Sequence, residues 1–284
     1  MKIHYPRGDF MLLEKIAAAA AEFMDGAVNY VAAEDALRPD LAGMRIYDEP
    51  LFGAAAADDP AFAELRRAEV LHPEAMLPHD WLPGARSVIS FFLPFTETVR
   101  STNRAERAQP SEEWLHARIE GQMAIAALGE YLKGFLEREG AAAVFPTTDA
   151  RFKMLAPYAS NWSERHAAYI CGLGTFGLSK GLITERGIAG RFGSLITDAE
   201  IPATPRKYES PYEYCTMCGA CQRLCPAEAI DAARGVALGK DHDICGAFVK
   251  ASTRPPHGPH ARVRYGCGKC QVGVPCEKGI PRPR

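Results

Sequence analysis

Nowhere in the 284 residues do about 18 apolar residues follow one another, so no segment is suited to cross a membrane as a helix. The opening stretch, Met1-Lys2-Ile3-His4-Tyr5-Pro6-Arg7-Gly8-Asp9, holds no apolar core before a cleavage site and no twin arginine. Net charge is scarce too, at −2 overall. That total hides an asymmetry: residues 239–284 carry nine Lys/Arg against three Asp/Glu, while residues 1–204 sum to about −8. The larger front portion therefore lacks the basic face of a nucleic-acid binder. No internal repeat stands out, and helices and strands do not alternate in the βαβα order of a parallel sheet, which points to α+β. The length exceeds the usual single domain, so the expected organisation is an α+β domain over residues 1–204 and a smaller module over residues 205–284.

What the chain does have is cysteine. Nine of them without an export signal imply a reducing, cytoplasmic setting and metal binding, not disulfides. The run Tyr214-Cys215-Thr216-Met217-Cys218-Gly219-Ala220-Cys221-Gln222-Arg223-Leu224-Cys225-Pro226 reads C-x2-C-x2-C-x3-C-P. In such a run three thiolates hold one iron–sulfur cubane and the Cys-Pro cysteine ligates a different one, so a second set of four must follow. It does, as Cys245, Cys267, Cys270 and Cys276. Interleaving gives one [4Fe–4S] set of Cys215, Cys218, Cys221 and Cys276, and a second of Cys225, Cys245, Cys267 and Cys270. Zinc also accepts four thiolates, but two independent zinc sites need neither the Cys-Pro ending nor an exchanged fourth ligand. The ninth cysteine, Cys171, reads as a small buried apolar residue. His242, His257 and His260 flank the cysteines and, with eight thiolates assigned, read as surface or loop residues. The basic tail either receives an acidic electron donor or balances the negative charge of the clusters.

In the front portion, Asp9 is expected to cap a helix bearing Met11, Leu12, Ile16 and Phe23. Asp59-Pro60 opens a second, over Phe62, Leu65 and Val70. Leu82-Pro83-Gly84-Ala85 is a turn into a buried strand over residues 87–94. Residues 96–110 are polar and aperiodic and read as a loop, a candidate lid. Ser111, followed by Glu112 and Glu113, starts the longest helix, which runs to about Glu139 with a buried stripe of Ile119, Met123, Ala126, Ala127, Leu132 and Phe135. Gly140 ends it, and Ala143-Val144-Phe145 forms a short strand. Asn161-Trp162-Ser163-Glu164 has the form of a capping box opening a helix through Tyr169. Gly172-x-Gly174-x-x-Gly177 has the letters of a dinucleotide fingerprint, but a helix precedes it and an extended segment follows, the reverse of what that site needs. It reads as a turn whose backbone passes close to something large. A strand from Arg191 to Thr197 and a three-proline linker over residues 199–213 lead to the cysteines. His116, His166, Tyr158, Tyr169 and Asp149, taken singly, read as structural polar groups.

The stretch from Ser163 to Gly177, containing Ser163-Glu164-Arg165-His166 and Cys171-Gly172-Leu173-Gly174-Thr175-Phe176-Gly177, is followed by Gly193-Ser194 and eight cluster cysteines. Together with Leu82-Pro83-Gly84-Ala85-Arg86-Ser87-Val88-Ile89-Ser90, it resembles epoxyqueuosine reductase over about residues 80–276. The resemblance implies a sandwich domain like that of reductive dehalogenases and nitroreductases, followed by a two-cluster ferredoxin-like module. It further implies a base-off cobalamin, reduced one electron at a time by the clusters, whose Co(I) acts on substrate. In that family an Asp six residues before the Glu-Arg pair donates a proton; here Tyr158 stands there, with Asp149 as the alternative. Gly172, Gly174 and Gly177 would let backbone approach the corrin, and His116 lies about where the family has a Tyr-His pair.

The chain departs from the family pattern at several points. Gly177-Leu178 replaces Gly-Lys, with Lys180 two residues on; the last cysteine follows C-x5-C as Val274-Pro275-Cys276; and the sequence stops at Arg284 without the helical repeats that run along tRNA. The expected substrate is accordingly a small or nucleoside-like molecule in place of tRNA, with ferredoxin or flavodoxin as electron donor. The alternative is an accessory electron-transfer protein with two clusters and no cobalamin.

Overall fold

The computed structural model describes residues 11–282, so the Asp9 cap lies outside the described residues. Helix α1 (Met11–Met24) leads to strand β1 (Leu51–Ala56), two single-turn helices α2 (Pro60–Ala63) and α3 (Pro78–Trp81), and strand β2 (Ser87–Pro94). Helices α4 (Glu97–Ala105) and α5 (Glu112–Arg138) precede β3 (Ala143–Val144), the hairpin β4 (Met154–Ala156) and β5 (Ala159–Ser160), and α6 (Glu164–Ile170). Strands β6 (Gly174–Phe176), β7 (Leu182–Thr184) and β8 (Gly190–Thr197) follow. The cysteine-rich remainder holds the short helices α7 (Ala220–Arg223) and α8 (Gly235–Leu238) and the longer α9 (His242–Ala251). No helix among the described residues is long and apolar enough to cross a membrane.

The main sheet is antiparallel throughout, in the order β1-β2-β8-β3. Strand β2 is buried at every position because helices cover both faces. Its alternation divides the core: Ile89, Phe91 and Leu93 join Leu195 against Ile16 of α1 and Leu128 and Leu132 of α5. Val88 joins Ile196 on the other face, against Trp162 and, from α6, Ala167 and Ile170. Each fully buried large side chain contributes roughly 1.5–3 kcal/mol, so the two-faced sheet is the main source of stability. This is the expected α+β sandwich.

Several local expectations need correction. Residues 97–105 are helix α4, not loop, capped by the Thr96 hydroxyl on the Val99 amide. The segment has no apolar period because it is buried through polar groups: Asn103 Nδ2 donates to the Cys267 carbonyl at 3.0 Å, and Asn103 Oδ1 accepts from the Ser111 amide at 3.1 Å. Helix α5 starts and ends as expected, with Ser111 capping the Trp114 amide. Of the expected stripe, Leu132 is buried, but Met123 is exposed, and the core face runs through Ala117, Ala124, Ile125, Leu128 and Leu136. The helix packs closely at Gly121, where a Cβ would fall 2.6 Å from the Tyr47 hydroxyl. The second helix is only the turn α2, capped by Asp59, and Val70 lies beyond it. Ser163 precedes α6 without capping it, because its hydroxyl pairs with His166 Nδ1 at 2.8 Å.

The tail folds back onto the front portion. Arg264, fully buried, donates to Glu120 of α5 and to the Asp35 carbonyl, and Arg262 pairs with the Asp35 carboxylate. Lys269 donates to the Asn103 carbonyl at 2.7 Å and also to the Glu106 carbonyl. Lys278 and Arg104 meet on Glu97, whose carboxyl those contacts hold down at about 2. Part of the asymmetric charge is thus used internally, with Arg262, Arg264 and Lys278 of the tail paired to carboxylates of the front portion.

Candidate functional site

A cavity of about 620 Å³ opens where the N-terminal half of α5, the start of α6, the start of β8 and the β4–β5 hairpin meet the cysteine segment. Cys225, Cys245, Cys267 and Cys270 all line it. The other four, Cys215, Cys218, Cys221 and Cys276, line a smaller void closed by Ile183, Ile188 and Val274. The thiols therefore fall into the two interleaved groups. Among the described residues, no three His, Cys, Asp or Glu side chains converge as on a single metal ion. Burial pushes the free thiols of Cys221 and Cys276 up to about 12 and that of Cys267 to about 11. Thiolates so placed would be stabilised by a bound metal cation, which deprotonates a coordinating thiol outright. The soft all-sulfur donor sets fit cubane clusters.

The ligand loops are shaped for this. Gly268 lies between Cys267 and Lys269 with φ of +72°, and a Cβ there would sit 1.9 Å from the Trp114 ring. Only glycine lets the loop lie flat on that indole. The Ala229 amide donates to Cys225 Sγ at 3.3 Å.

Glu164, Arg165, Arg118, Arg191 and Tyr158 also line the cavity, with Trp114, Trp162 and Phe192. Glu164 is the residue that the sequence reading missed as a site group. Its Oε2 accepts from the Ser194 hydroxyl at 2.5 Å, and Ser194 Oγ accepts from Trp162 Nε1 at 2.9 Å. Its Oε1 is buried with no partner. Burial pushes the carboxyl up to about 8, against which the Ser194 hydrogen bond pulls only weakly. The only sequence signal was the Glu164-Arg165 pair opening a short helix, which capping explained equally well.

The expected site residues separate. Tyr158 reaches the cavity from the hairpin tip, half exposed, with φ of +66° and its ring 5.5 Å from that of His242. Desolvation and then the Asp243 carboxylate hold its hydroxyl above the ordinary tyrosine value. Asp149 does not line the cavity, and hydrogen bonds from Arg151 hold it down at about 2, so it is no proton donor near neutrality. His116 is fully buried away from the cavity: its Nε2 accepts from the Leu37 amide and its Nδ1 faces Glu120 at 3.3 Å. Gly172, Gly174 and Gly177 do not line the cavity either. Gly174 admits the Ile183 carbonyl, which a Cβ would meet at 1.9 Å, and Gly172 packs on Thr204. Those two pack against this chain's own backbone, whereas Gly177 lines the smaller void with Cys215, Cys218, Cys221 and Cys276. Lys180 donates to the carbonyls of Val236 and Ala237, fastening α8. Cys171 is buried, as expected, with its thiol on the Val88 carbonyl.

Residues 211–231, which hold Cys215, Cys218, Cys221 and Cys225, match the family model described as a 4Fe-4S binding domain. No curated protein matches the chain by sequence. Among solved structures, the chain is similar to a reductive dehalogenase described for B12-dependent dehalogenation, at 14% identity and a TM-score of 0.52, over 81% of this chain and 30% of that one. A catabolic reductive dehalogenase in complex with 3-bromo-4-hydroxybenzoic acid matches at 14% identity and 0.53, over 95% and 37%. Epoxyqueuosine reductase with an epoxyqueuosine-modified tRNA-Tyr stem loop matches at 16% identity and 0.53, over 96% and 67%. The chain thus has the fold of these reductases, with a 4Fe-4S binding segment, while spanning about a third of the dehalogenases' length.

Proposed function

We propose that this chain is a two-cluster iron–sulfur reductase whose second thiol set delivers electrons into the Glu164 cavity. One observation carries the reading: Cys225, Cys245, Cys267 and Cys270 line the same cavity as a carboxyl of raised pKa and an array of buried polar atoms without partners. Those atoms are Glu164 Oε1, Gln271 Oε1, Arg118 Nε and Arg191 Nε. Buried unpaired groups of both polarities are costly alone and suit bound molecules edged with hydrogen-bonding groups, among them a corrin with its amide arms. A cobalamin held there would supply the low-valent cobalt that cleaves a bond in the substrate.

The chain's own residues have definite tasks in this reading. Trp162 Nε1–H on Ser194 directs the serine proton to Glu164 Oε2, so the acid proton resides on Oε1. A carboxyl near 8 keeps that proton at neutral pH and gives it up to a strong base, matching it to general-acid work better than a tyrosine held above its ordinary value. Tyr158, at the rim, positions substrate. Lys269, Arg264 and the Gly268–Trp114 contact hold the cluster-two loop against α4 and α5, fixing the distance over which an electron travels.

A pure electron carrier needs no such cavity, and this separates the two classes of function. The test is anaerobic titration of the cluster-loaded protein with cob(II)alamin, followed by visible and paramagnetic resonance spectra. A saturable spectral change is expected; an unaltered corrinoid spectrum leaves the carrier reading standing.

A further inference from the structure

We infer that the cavity takes a substrate bearing an oxyanion, a carboxylate or phosphate ester, held by Arg118, Arg165 and Arg191 beside the rings of Trp114 and Phe192. The inference rests on reading this cavity as the reductase's substrate chamber. The three guanidinium groups come from three different elements, α5, α6 and β8, and all line the one cavity.

None of the three forms an ion pair with a carboxylate among the described residues. Other arginines do: Arg100 pairs with Glu97, Arg262 with Asp35 and Arg264 with Glu120. Arg118 instead lies over the Tyr265 ring at 4.5 Å, and Arg191 Nη1 donates to the neutral Gln122 amide oxygen at 3.2 Å. The Nε of each is buried without any acceptor. A buried guanidinium N–H without an acceptor is costly, and the planar fork matches carboxylate and phosphate oxygens.

Electrostatics agrees. Burial lowers Arg191 to about 10, with Tyr47 pulling upward and the positive charges of Arg118 and Arg165 downward. The nearest acid in the cavity, Glu164, keeps its proton at neutral pH and does not neutralise them. An oxyanion would relieve the repulsion among the three, while the indole and phenyl rings favour a flat body beside it.

The test is calorimetric titration of the anaerobically cluster-loaded protein, without added corrinoid, using benzoate, phenyl phosphate and benzamide. At least one anion should bind and the neutral amide should not; the tighter anion identifies the oxyanion class. Arg191→Gln and Arg118→Gln should each weaken anion binding about tenfold or more, the loss of a charge-assisted hydrogen bond, with iron content and visible spectrum unchanged. Benzamide binding as well as the anions, no binding by either anion, or full anion affinity in both variants would overturn the inference. Anion binding in a protein indifferent to cob(II)alamin would remove the cobalamin reading and leave this one standing; the converse result would remove this one alone.

Discussion

Ser194 on β8 donates its hydroxyl proton to Glu164 on α6 across 2.5 Å, and this bond joins the central sheet to the wall of the cavity. It leaves Glu164 with one oxygen engaged and one free, in surroundings that resist its ionisation. Stability and reactivity should therefore share one titration.

Glu164 has a folded value raised to about 8 from an ordinary 4.5, so folding favours its protonated form. The native state then binds more protons than the unfolded chain between those values, and this group's contribution is full below about 4.5 and lost as pH rises through about 8. The loss is roughly 3–5 kcal/mol. Glu164→Gln should remove that slope: denaturant melts should show the variant gaining on the parent between pH 6 and pH 8. Parallel pH profiles would contradict the assignment.

Turnover should rank three side chains. Glu164→Gln should lower the rate about 100-fold or more, the usual weight of a positioned general acid. Tyr158→Phe should cost less than about tenfold, since its hydroxyl stays protonated and sits at the rim. Asp149→Asn should leave the rate unchanged, because Arg151 already holds that group as a carboxylate outside the cavity. A rate collapse in the asparagine variant would reverse this order.

Iron analysis tests the thiol grouping. Cys225→Ala should lose the cluster at the large cavity, and Cys276→Ala the one near Ile183 and Val274, each leaving about half the iron. If Cys225→Ala instead emptied the Cys215 set alone, the interleaved pairing would be wrong.

The clamp between tail and front domain is testable through Arg264. It is wholly buried on Glu120, a carboxyl that burial would raise but that His116 and Arg264 together bring below its ordinary value. Arg264→Met leaves Glu120 buried without its cation and should cost about 3–5 kcal/mol. The double variant Arg264→Met with Glu120→Leu should recover much of that loss in a denaturant melt. Recovery by the double variant marks a desolvated ion pair; its absence would show that the Asp35 carbonyl contact matters more.

Much of the fold was legible locally. The apolar run over residues 87–94 became a strand buried on both faces, and Ser111 and Gly140 bounded α5, because caps and unbroken apolar runs act within a few residues. What escaped notice was buried through polarity. Helix α4 looked like a loop because Asn103 is covered by the Cys267 carbonyl and Lys269, more than 160 residues away in sequence. The stripe of α5 was misplaced because that helix touches core, cavity and tail, so a single apolar arc does not describe it.

The order of the cysteines, by itself, pointed to two interleaved thiol groups, since ligand spacing is a local property of the chain. Only the tertiary structure decided which group faces the large cavity, that Glu164 and not Asp149 stands there, and that Gly172 and Gly174 pack against the chain's own backbone. Those outcomes depend on desolvation and on the charges gathered from α5, α6 and β8, and no stretch of sequence contains its own surroundings.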